Sequence, residues 1–550
     1  MNTKVNTAPI EGAPPTVHPR FLMPTQLVFN VVIAVLGAII GMELITRVGI
    51  TPNTSIIGAL VAILLSYIPL KLFSRFKSLD SQTLVQTSIS GATFSAANGL
   101  LLPLAIPFLM GESDMLIPML IGAACAVITD ASILYFSFDS KLFSARGAWP
   151  PGFATAEALK AAATKGKNTV LLLVGMVSGA VGKSFGIPMD MLGITWISNA
   201  FALAALGVGL LLRGYSVQLF GVDINALYIP HGIMIGAGMV ALLQILLLIR
   251  KDSKHSSARQ GEPSETQSND EEPAHRPTRS ALQMKKAMVS GFTAYLTISL
   301  GLALATGIYT DMNFGMLIGW LVFAAVAAMA SELIVGIAAM HSGWFPSFAT
   351  GLIFLVLGML LGFPKEALGV LVAFTVSTGP AFADMAYDLK SGWVIRNNGQ
   401  DEEYELEGRR QQYFAELFSF GIAIMVVAFA YQYYFEQDLV PPVARVYVAT
   451  IEAGTDSHIA LLLAGWALVG AVIQYIGGMS RQIGVLLATG LLITAPTAGI
   501  MIFVGLAIRY MVIKRYGQQG LQPLYILGAG AISGSAIYSF FSSTLKLGSK

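Results

Sequence analysis

Residues 314–340 read FGMLIGWLVFAAVAAMASELIVGIAAM and carry a single charged side chain, Glu332. A helix needs about 20 mainly apolar residues to cross the hydrocarbon core of a bilayer, and this run is longer. Inside lipid, a spanning helix satisfies all of its backbone hydrogen bonds within its own segment. The stretch therefore predicts a transmembrane helix.

Comparable apolar runs extend over most of the 550-residue chain. By length and composition, spanning segments are predicted at 25–46, 54–72, 83–109, 115–138, 168–187, 195–213, 228–249, 285–308, 314–340, 346–363, 366–387, 412–435, 458–477, 482–512 and 522–545. The run at 482–512 is long enough for two segments. We expect an all-α, polytopic integral membrane protein with about 14–16 transmembrane helices.

The overall composition also indicates a membrane protein. Hydrophobic residues make up 55% of the chain and charged residues 12%, and the mean hydropathy is +0.69. Soluble domains carry about 25% charged residues, so lipid must solvate part of this surface. The net charge of +2 gives no sign of a nucleic-acid partner. The only cysteine, Cys125, excludes an internal disulfide, and the histidines lack metal-ligand spacing, so we expect neither metal nor cofactor.

Polar stretches divide the chain into four parts. Residues 1–24 form a polar tail, 25–250 a first transmembrane half, 251–284 a polar linker and 285–545 a second half. The linker has the composition of a disordered segment. Basic residues flank it, so the positive-inside rule places the tail and the linker in the cytoplasm.

This orientation needs an even number of crossings in the first half, one more than the apolar runs supply. The two candidates for the missing segment are Trp149–Thr164 and Tyr215–Leu227, which are weakly apolar and rich in glycine, proline or polar residues. Irregular backbone at membrane depth survives only where protein or a water-filled cavity surrounds it. We therefore expect a broken or re-entrant segment close to a functional site.

The two halves share sequence motifs. W-P-P-G-F-A-T at 149–155 recurs as W-F-P-S-F-A-T at 344–350, and each follows the tetrapeptide M-L-I-G, at 119–122 and 316–319. The common order predicts two pseudo-repeated halves joined by the linker. Duplicated halves with proline-interrupted segments in matching places are typical of transporters, which bind substrate between the halves near the bilayer midplane.

Ionisable residues inside apolar runs are the first functional candidates, because burying them in a membrane is costly. The acids that we expect to take part in proton coupling are Asp130, Glu157, Glu332 and Asp384. Glu43 and Glu416 lie nearer the ends of their segments, where an acid can equally well face water or a basic loop. Glu157 begins a helical stretch and can pair with Lys160, three residues on, in a purely structural role.

The third segment is unusually polar and predicts a helix that lines a cavity. It carries two glutamines and an asparagine among serines and threonines, although Ser and Thr can also bond back to their own helix. At the two proline motifs, free backbone N–H groups could hold an anionic group of a solute. Together these features give the candidate substrate-binding residues Gln86, Ser90, Asn98, Pro151, Thr155, His341, Trp344, Pro346 and Thr350.

Several function classes lack support in the sequence. Gly182-Lys183-Ser184 misses the glycine spacing of a phosphate-binding loop, and no catalytic triad or nucleophile elbow occurs, so we expect no enzyme and no ATP hydrolysis. Transport would then be driven by an ion gradient. A passive channel for small polar solutes remains the alternative.

Several motifs resemble those of the oligopeptide transporter (OPT) superfamily, in particular its bacterial and yellow-stripe-like branch. Residues 49–56 are similar to its G-L-T-P-x-x-S-I turn, 86–99 to its V-Q-T-x-A-S stretch, 150–160 to its P-x-P-[ST]-G-T-A-x-A-E-V-L-K motif, and 384–393 with 410–412 to its D-L-K-T-G-Y…R-K-Q-Q pattern. Two segments depart from the family pattern, H-S-G-W-F-P-S-F-A-T at 341–350 and G-A-I-S-G-S at 530–535, where the family's acid is missing.

The resemblance implies about sixteen helices in two halves. It also implies proton-coupled uptake of small peptides or metal-chelate complexes. The expected partners are accordingly a peptide or small-molecule substrate, protons and membrane lipid. A homo-oligomer is compatible with this interpretation. The expected location is the cytoplasmic (inner) membrane of a bacterium.

Overall fold

The computed structural model describes residues 18–47, 49, 54–55, 58–59, 62–63, 77–163, 167–197, 199–241, 243–244, 277–343, 345, 347–454, 457–478 and 481–547. Most of the predicted span 54–72 and most of the linker lie outside these ranges. Within them, the protein is built of helices.

Nine helices precede the linker. They are α1 (Pro24–Arg47), α2 (Leu79–Phe94), α3 (Leu102–Met110), α4 (Leu116–Ser137), α5 (Pro150–Ala163), α6 (Lys167–Ser184), α7 (Met189–Ile197), α8 (Ala200–Phe220) and α9 (Ile229–Ala241), counted over the described part of the chain. A π-helical stretch, Ser95–Leu101, joins α2 to α3.

Eleven further helices follow the linker within the described ranges. They are α10 (Ala281–Ala305), α11 (Phe314–Ser342), α12 (Ser347–Leu360), α13 (Lys365–Ser377), α14 (Pro380–Ile395), α15 (Glu402–Glu436), α16 (Pro442–Ala453), α17 (Ser457–Gly477), α18 (Ile483–Leu492), α19 (Pro496–Tyr516) and α20 (Leu521–Leu547).

The helix ends follow from local sequence. α10 begins at a capping box, in which the Ser280 hydroxyl accepts from the N–H of Gln283 while the Gln283 side chain accepts from the N–H of Ser280. α11 begins at Asn313, whose side chain caps the first turn, and ends at Gly343 with φ of 70°. Only glycine adopts that left-handed conformation without strain.

The length and apolar character of the helices confirm the prediction of an all-α polytopic membrane protein. Nine helical stretches within the described ranges are long and apolar enough to cross a bilayer, and five shorter apolar helices accompany them. Two spans form the centre of the protein, because most of Leu79–Met110 and all of the apolar window in Lys365–Ile395 are buried. Both are interrupted helices.

Two interruptions bear on the segment boundaries predicted from the sequence. The run at 366–387 was predicted as continuous, but the helix breaks at Thr378–Gly379, where Gly379 has φ of 98°. The prediction that 482–512 can hold two segments is confirmed, because α18 ends at Leu492 and α19 starts at Pro496. Proline starts a helix readily but cannot continue one from the preceding turn.

The two candidates for an extra crossing differ. Within Trp149–Thr164, residues 150–163 form the short helix α5, which packs on α14. Tyr215–Leu227 forms no helix of its own: residues 215–220 complete α8, and turns follow from Gly221.

Glycines allow neighbouring helices to touch. A Cβ placed on Gly530 of α20 would lie 3.0 Å from Cα of Gly175 on α6, so these two backbones meet without side chains between them. Small residues permit such close approach in membranes, where helices gain little from hydrophobic burial against lipid.

Candidate functional site

Three buried side chains form the first group of interest. The hydroxyl of Tyr295 on α10 lies 2.5 Å from Oδ1 of Asp130 on α4 and 2.7 Å from Oε2 of Glu332 on α11. All three residues are fully buried. Asp130 precedes the linker, whereas Tyr295 and Glu332 follow it, so the contact joins the two parts of the chain. We call this group the tyrosine-bridged pair.

The two hydrogen bonds at the Tyr295 hydroxyl need one proton more than the hydroxyl itself carries. A tyrosine hydroxyl carries one proton, and ionised carboxylates only accept hydrogen bonds. Both contacts of Tyr295 can be hydrogen bonds only if one of the two acids carries a proton of its own. The geometry thus describes a place where one proton is held between two acids from different parts of the chain.

The break between α13 and α14 adjoins the tyrosine-bridged pair. The backbone N–H of Gly379 donates a 2.5 Å hydrogen bond to Oδ2 of Asp130. The Thr378 hydroxyl donates to the carbonyl of Ala328, one turn before Glu332. A carboxylate at the N-terminus of a helix is stabilised by the free N–H groups and the helix dipole there. Asp130 is therefore coupled to the position of α14.

A second group consists of Asp384 and Asp388 on α14 and Glu416 on α15, which we call the acid cluster. One oxygen of each carboxyl group lies within 4.8 Å of an oxygen of the other two. The exposed fractions of the residues are 1%, 0% and 0%. Three negative charges at this separation, away from water, require protons or a metal cation between them.

Among the residues that the structure describes, the four side chains that donate to the acid cluster come from before the linker. Thr54 and Ser90 donate to Oδ1 of Asp384, at 3.1 and 2.8 Å. Ser55 and Gln86 donate to Oδ1 of Asp388, at 2.7 and 2.5 Å. The acids themselves all follow the linker. The acid cluster therefore also lies where the two parts of the chain meet.

Gln412 connects the acid cluster to an ion-pair network. Its amide nitrogen donates to the backbone carbonyl of Asp388 at 2.6 Å, and its oxygen accepts from Arg396 at 2.9 Å. Arg396 pairs with Glu405 at 2.6 Å, and Glu405 also pairs with Arg409 at 3.2 Å.

A cavity of about 1930 Å³ opens beside the ion-pair network. The segment before α1 forms part of its lining through His18, whose Nε2 lies 3.6 Å from the Asp80 carboxylate. Tyr404 donates to the same carboxylate at 2.9 Å. Burial lowers the pKa of the His18 imidazole, and the charge of Arg396 lowers it further.

Three of the predicted site residues lie beside one of the two buried groups, and a fourth lies in the π-helical stretch. Gln86 and Ser90 contact the acid cluster, as described above. Thr350 accompanies the other group, because its hydroxyl lies 2.7 Å from that of Ser331, the neighbour of Glu332. Asn98 is buried in the π-helical stretch between α2 and α3. Such stretches are frequent at functional sites.

The first proline motif meets the end of α11, just before the second motif. The N–H of Trp149 donates to the carbonyl of Met340 at 2.9 Å, and a Cβ on Gly343 would lie 2.9 Å from Cδ of Pro151. The N–H of Trp149 is thus engaged, that of Phe153 bonds to Trp149, and the prolines have none, which leaves few N–H groups for an anion.

Five predicted residues contribute differently. The Thr155 hydroxyl bonds to the carbonyl of Pro151 within α5. His341 lies in the last turn of α11, and its side chain is outside the description. Trp344 and Pro346 lie outside the described residues. Glu157 is 44% exposed in its side chain and pairs with Lys160 at 3.4 Å, apart from the buried acids.

Two acids of the cluster are not among the coupling residues predicted from the sequence. The sequence leaves the role of Glu416 open and does not single out Asp388. Glu416 lies fifteen positions into α15, whose start reads as a charged loop, so its complete burial was not visible. Asp388 did have a signal, because Asp384 and Asp388 are four residues apart and share a helical face.

Comparison with known proteins identifies a family. A sequence model of the family described as OPT oligopeptide transporter protein matches residues 26–245 and 221–546, which together cover nearly the whole chain. No individual curated protein matches.

Proposed function

Because the chain belongs to the family of OPT oligopeptide transporters, we propose that it is a proton-coupled secondary transporter. Members of this family are transporters rather than enzymes. The proposed cargo is a small peptide or a metal-chelate complex, taken up across the cytoplasmic membrane of a bacterium. The bacterial, yellow-stripe-like assignment and the cytoplasmic side of the tail and linker belong to the same proposal.

The observation that carries the proton-coupling proposal is the tyrosine-bridged pair. Asp130 contributes one acid from before the linker, Glu332 the other from after it, and Tyr295 lies between them. A transporter that alternates between two open states must move its two halves relative to each other around the substrate site. Movement of the first half against the second would separate Asp130 from Tyr295 and Glu332, and the shared proton would then be free to leave.

Asp384 has a comparable position in the acid cluster, where its partners Ser90 and Thr54 precede the linker. We propose it as a further coupling residue. Glu157 remains a candidate from the sequence, with an exposed ion pair instead of a buried one. The division into halves at 25–250 and 285–545 is part of the proposal.

The proposed substrate site lies between the two proline motifs and the polar segment of α2. Two contacts support this position, the hydrogen bond from Trp149 to Met340 and the approach of Gly343 to Pro151, since both bring the first motif to the end of α11, next to the second motif in sequence. Gln86, Ser90 and Asn98 would offer polar groups to a peptide from α2 and the π-helical stretch.

Uptake by proteoliposomes tests this function. Purified protein would be reconstituted and offered labelled alanine peptides of graded length and a labelled nickel–histidine chelate, with and without an inward proton gradient. We expect accumulation of at least one of them above equilibrium only when the gradient is present. Flux that ignores the gradient would contradict proton coupling, and single-channel currents would favour the passive channel instead.

A further inference from the structure

The acid cluster contains carboxyl oxygens that no hydrogen-bond donor reaches among the described residues. The donors described above reach only Oδ1 of Asp384 and Oδ1 of Asp388. Oδ2 of each aspartate and both carboxyl oxygens of Glu416 have no hydrogen-bond donor in the described part of the chain. Buried polar atoms in native proteins nearly always have a partner. Four such oxygens in one place point to a missing ligand.

No cationic side chain compensates the acid cluster among the residues that the structure describes. The nearest bases along α14 are occupied elsewhere: Lys390 donates to the carbonyl of Ala145 at 2.8 Å, and Arg396 pairs with Glu405. The described residues therefore supply no compensating charge for the cluster, and an external cation can provide it.

The carboxyl group of Glu416 lies against a glycine of α2. Gly91 on α2 faces it, and a Cβ at that position would lie 2.9 Å from Cδ and 3.0 Å from both oxygens of Glu416. Any larger residue would displace the carboxyl group from this position. The close approach of α2 thus holds the third acid in place.

From these contacts we propose that Asp384, Asp388 and Glu416 bind one divalent metal cation of the oxygen-preferring class, such as Mn²⁺ or Ca²⁺. Cations of this class take carboxylate oxygens at about 2.0–2.6 Å, and Ca²⁺ tolerates irregular geometry. Oxygens that already lie within 4.8 Å of one another need only a small movement to contact one such ion. Ser55, Thr54, Gln86 and Ser90 orient the carboxylates from behind, as outer partners of metal ligands do.

A cation at this position would stabilise the contact between α14 and α15 and, through the four donors, their contact with the segments before the linker. It is a resident ion in this inference, distinct from the transported solute. The sequence concealed it because two ligands are four residues apart on one helix and the third lies on another, with no histidine or cysteine involved.

Binding of Mn²⁺ to the full-length protein in lipid nanodiscs at pH 7.5 tests the inference. Free Mn²⁺ gives a six-line electron paramagnetic resonance signal that is lost on binding. We expect one Mn²⁺ per chain, displaced by Ca²⁺ but not by Na⁺. Replacing a ligand by its amide, in Asp388→Asn or Glu416→Gln, should weaken binding by about 100-fold or more, beyond the roughly 10–100-fold effect of outer-partner substitutions. Asp438→Asn, at an exposed ion pair with Arg445, is the matched control and should bind as the unsubstituted protein does.

Two results would overturn the inference. One is the absence of saturable Mn²⁺ binding to the unsubstituted protein, which would leave the cluster to protons or Na⁺ alone. The other is equal binding by all variants. If Asp388→Asn does not fold, Glu416→Gln and Gly91→Ala test the same site. The measurement uses neither substrate nor gradient, so its failure leaves the coupling role proposed for Asp130 and Glu332 untouched, and the converse also holds. A resident cation at Asp384 would replace the coupling role proposed for that residue.

Discussion

Asp130 and Glu332 lie on helices from opposite sides of the linker and contact the same hydroxyl group, that of Tyr295, at 2.5 and 2.7 Å. We propose that the two parts of the chain share one proton at this position. Removal of the Tyr295 hydroxyl should therefore abolish proton coupling while the protein still folds.

Tyr295→Phe removes the bridging hydroxyl and keeps the ring. We expect proton-driven accumulation to be lost, because the two carboxyl groups lose their shared donor, and we expect the free energy of unfolding to fall by about 1–3 kcal/mol. Uptake assays and thermal unfolding in detergent measure the two effects. Tyr309→Phe, at a 43% exposed tyrosine, is the control. Full accumulation by Tyr295→Phe would show that the hydroxyl is not needed for proton coupling.

Asp130→Asn and Glu157→Gln should differ, although both acids are coupling candidates. Asparagine at 130 can still accept a hydrogen bond from Gly379 but cannot exchange a proton, so accumulation should stop while substrate exchange across the membrane continues. Glu157 is half-exposed and already paired with Lys160, so its amide should reduce accumulation less. The ratio of gradient-driven uptake to exchange compares them, and the reverse order would move the coupling site to α5.

Gly91→Ala and Gly421→Ala form a matched pair of helical glycines. A methyl group at 91 would meet the Glu416 carboxyl at 2.9 Å, whereas nothing lies within 4 Å of one at 421. Overpacking typically costs about 1–3 kcal/mol, so Gly91→Ala should lower the unfolding temperature. Alanine favours a helix over glycine by about 1 kcal/mol, so Gly421→Ala should be neutral or stabilising. Equal shifts in the two variants would show that the approach of α2 to Glu416 is unimportant.

Docking of the segment around His18 should weaken as the pH falls. The groups that face the imidazole are Asp80 on α2, Tyr404 and Glu405 on α15, and Arg396 at the end of α14. Because the folded pKa lies below the unfolded value of about 6.5, docking is fully stable above that value and is lost as the pH drops toward the folded pKa.

Hydrogen exchange measures this docking through the N–H of Phe21, which donates to Gln411 at 2.8 Å. The exchange rate of this N–H is corrected for the intrinsic pH dependence of amide exchange. The corrected rate should rise from pH 7.5 to pH 5.5 in the unsubstituted protein and change less in His18→Gln. The same acceleration in both proteins would assign the pH dependence to another group.

Helices and their approximate spans could be predicted from the sequence, because long apolar runs have few alternatives in lipid. The break in the centre of the protein was missed, although Gly379-Pro380 carries the residue types that end one helix and start another. An apolar run of sufficient length masked that signal, so 366–387 was interpreted as a single helix.

The site was only partly predictable. Asp130, Glu332 and Asp384 stood out because apolar residues surround them in sequence. Glu416 did not, since its burial depends on α2 and α14 packing around it, and Tyr295 carries no charge that would mark it. Which acids share a hydroxyl, and which share donors, depends on contacts between distant segments that local sequence patterns do not contain.

Proton movement during peptide uptake tests the central claim most directly. Proteoliposomes that enclose a pH-sensitive dye would receive alanine peptides from outside, with either the unsubstituted protein or Glu332→Gln. The account predicts that peptide entry acidifies the interior with the unsubstituted protein, and that Glu332→Gln exchanges peptide without acidification. Equal acidification by both proteins, or uptake by the unsubstituted protein with no proton movement, would contradict it.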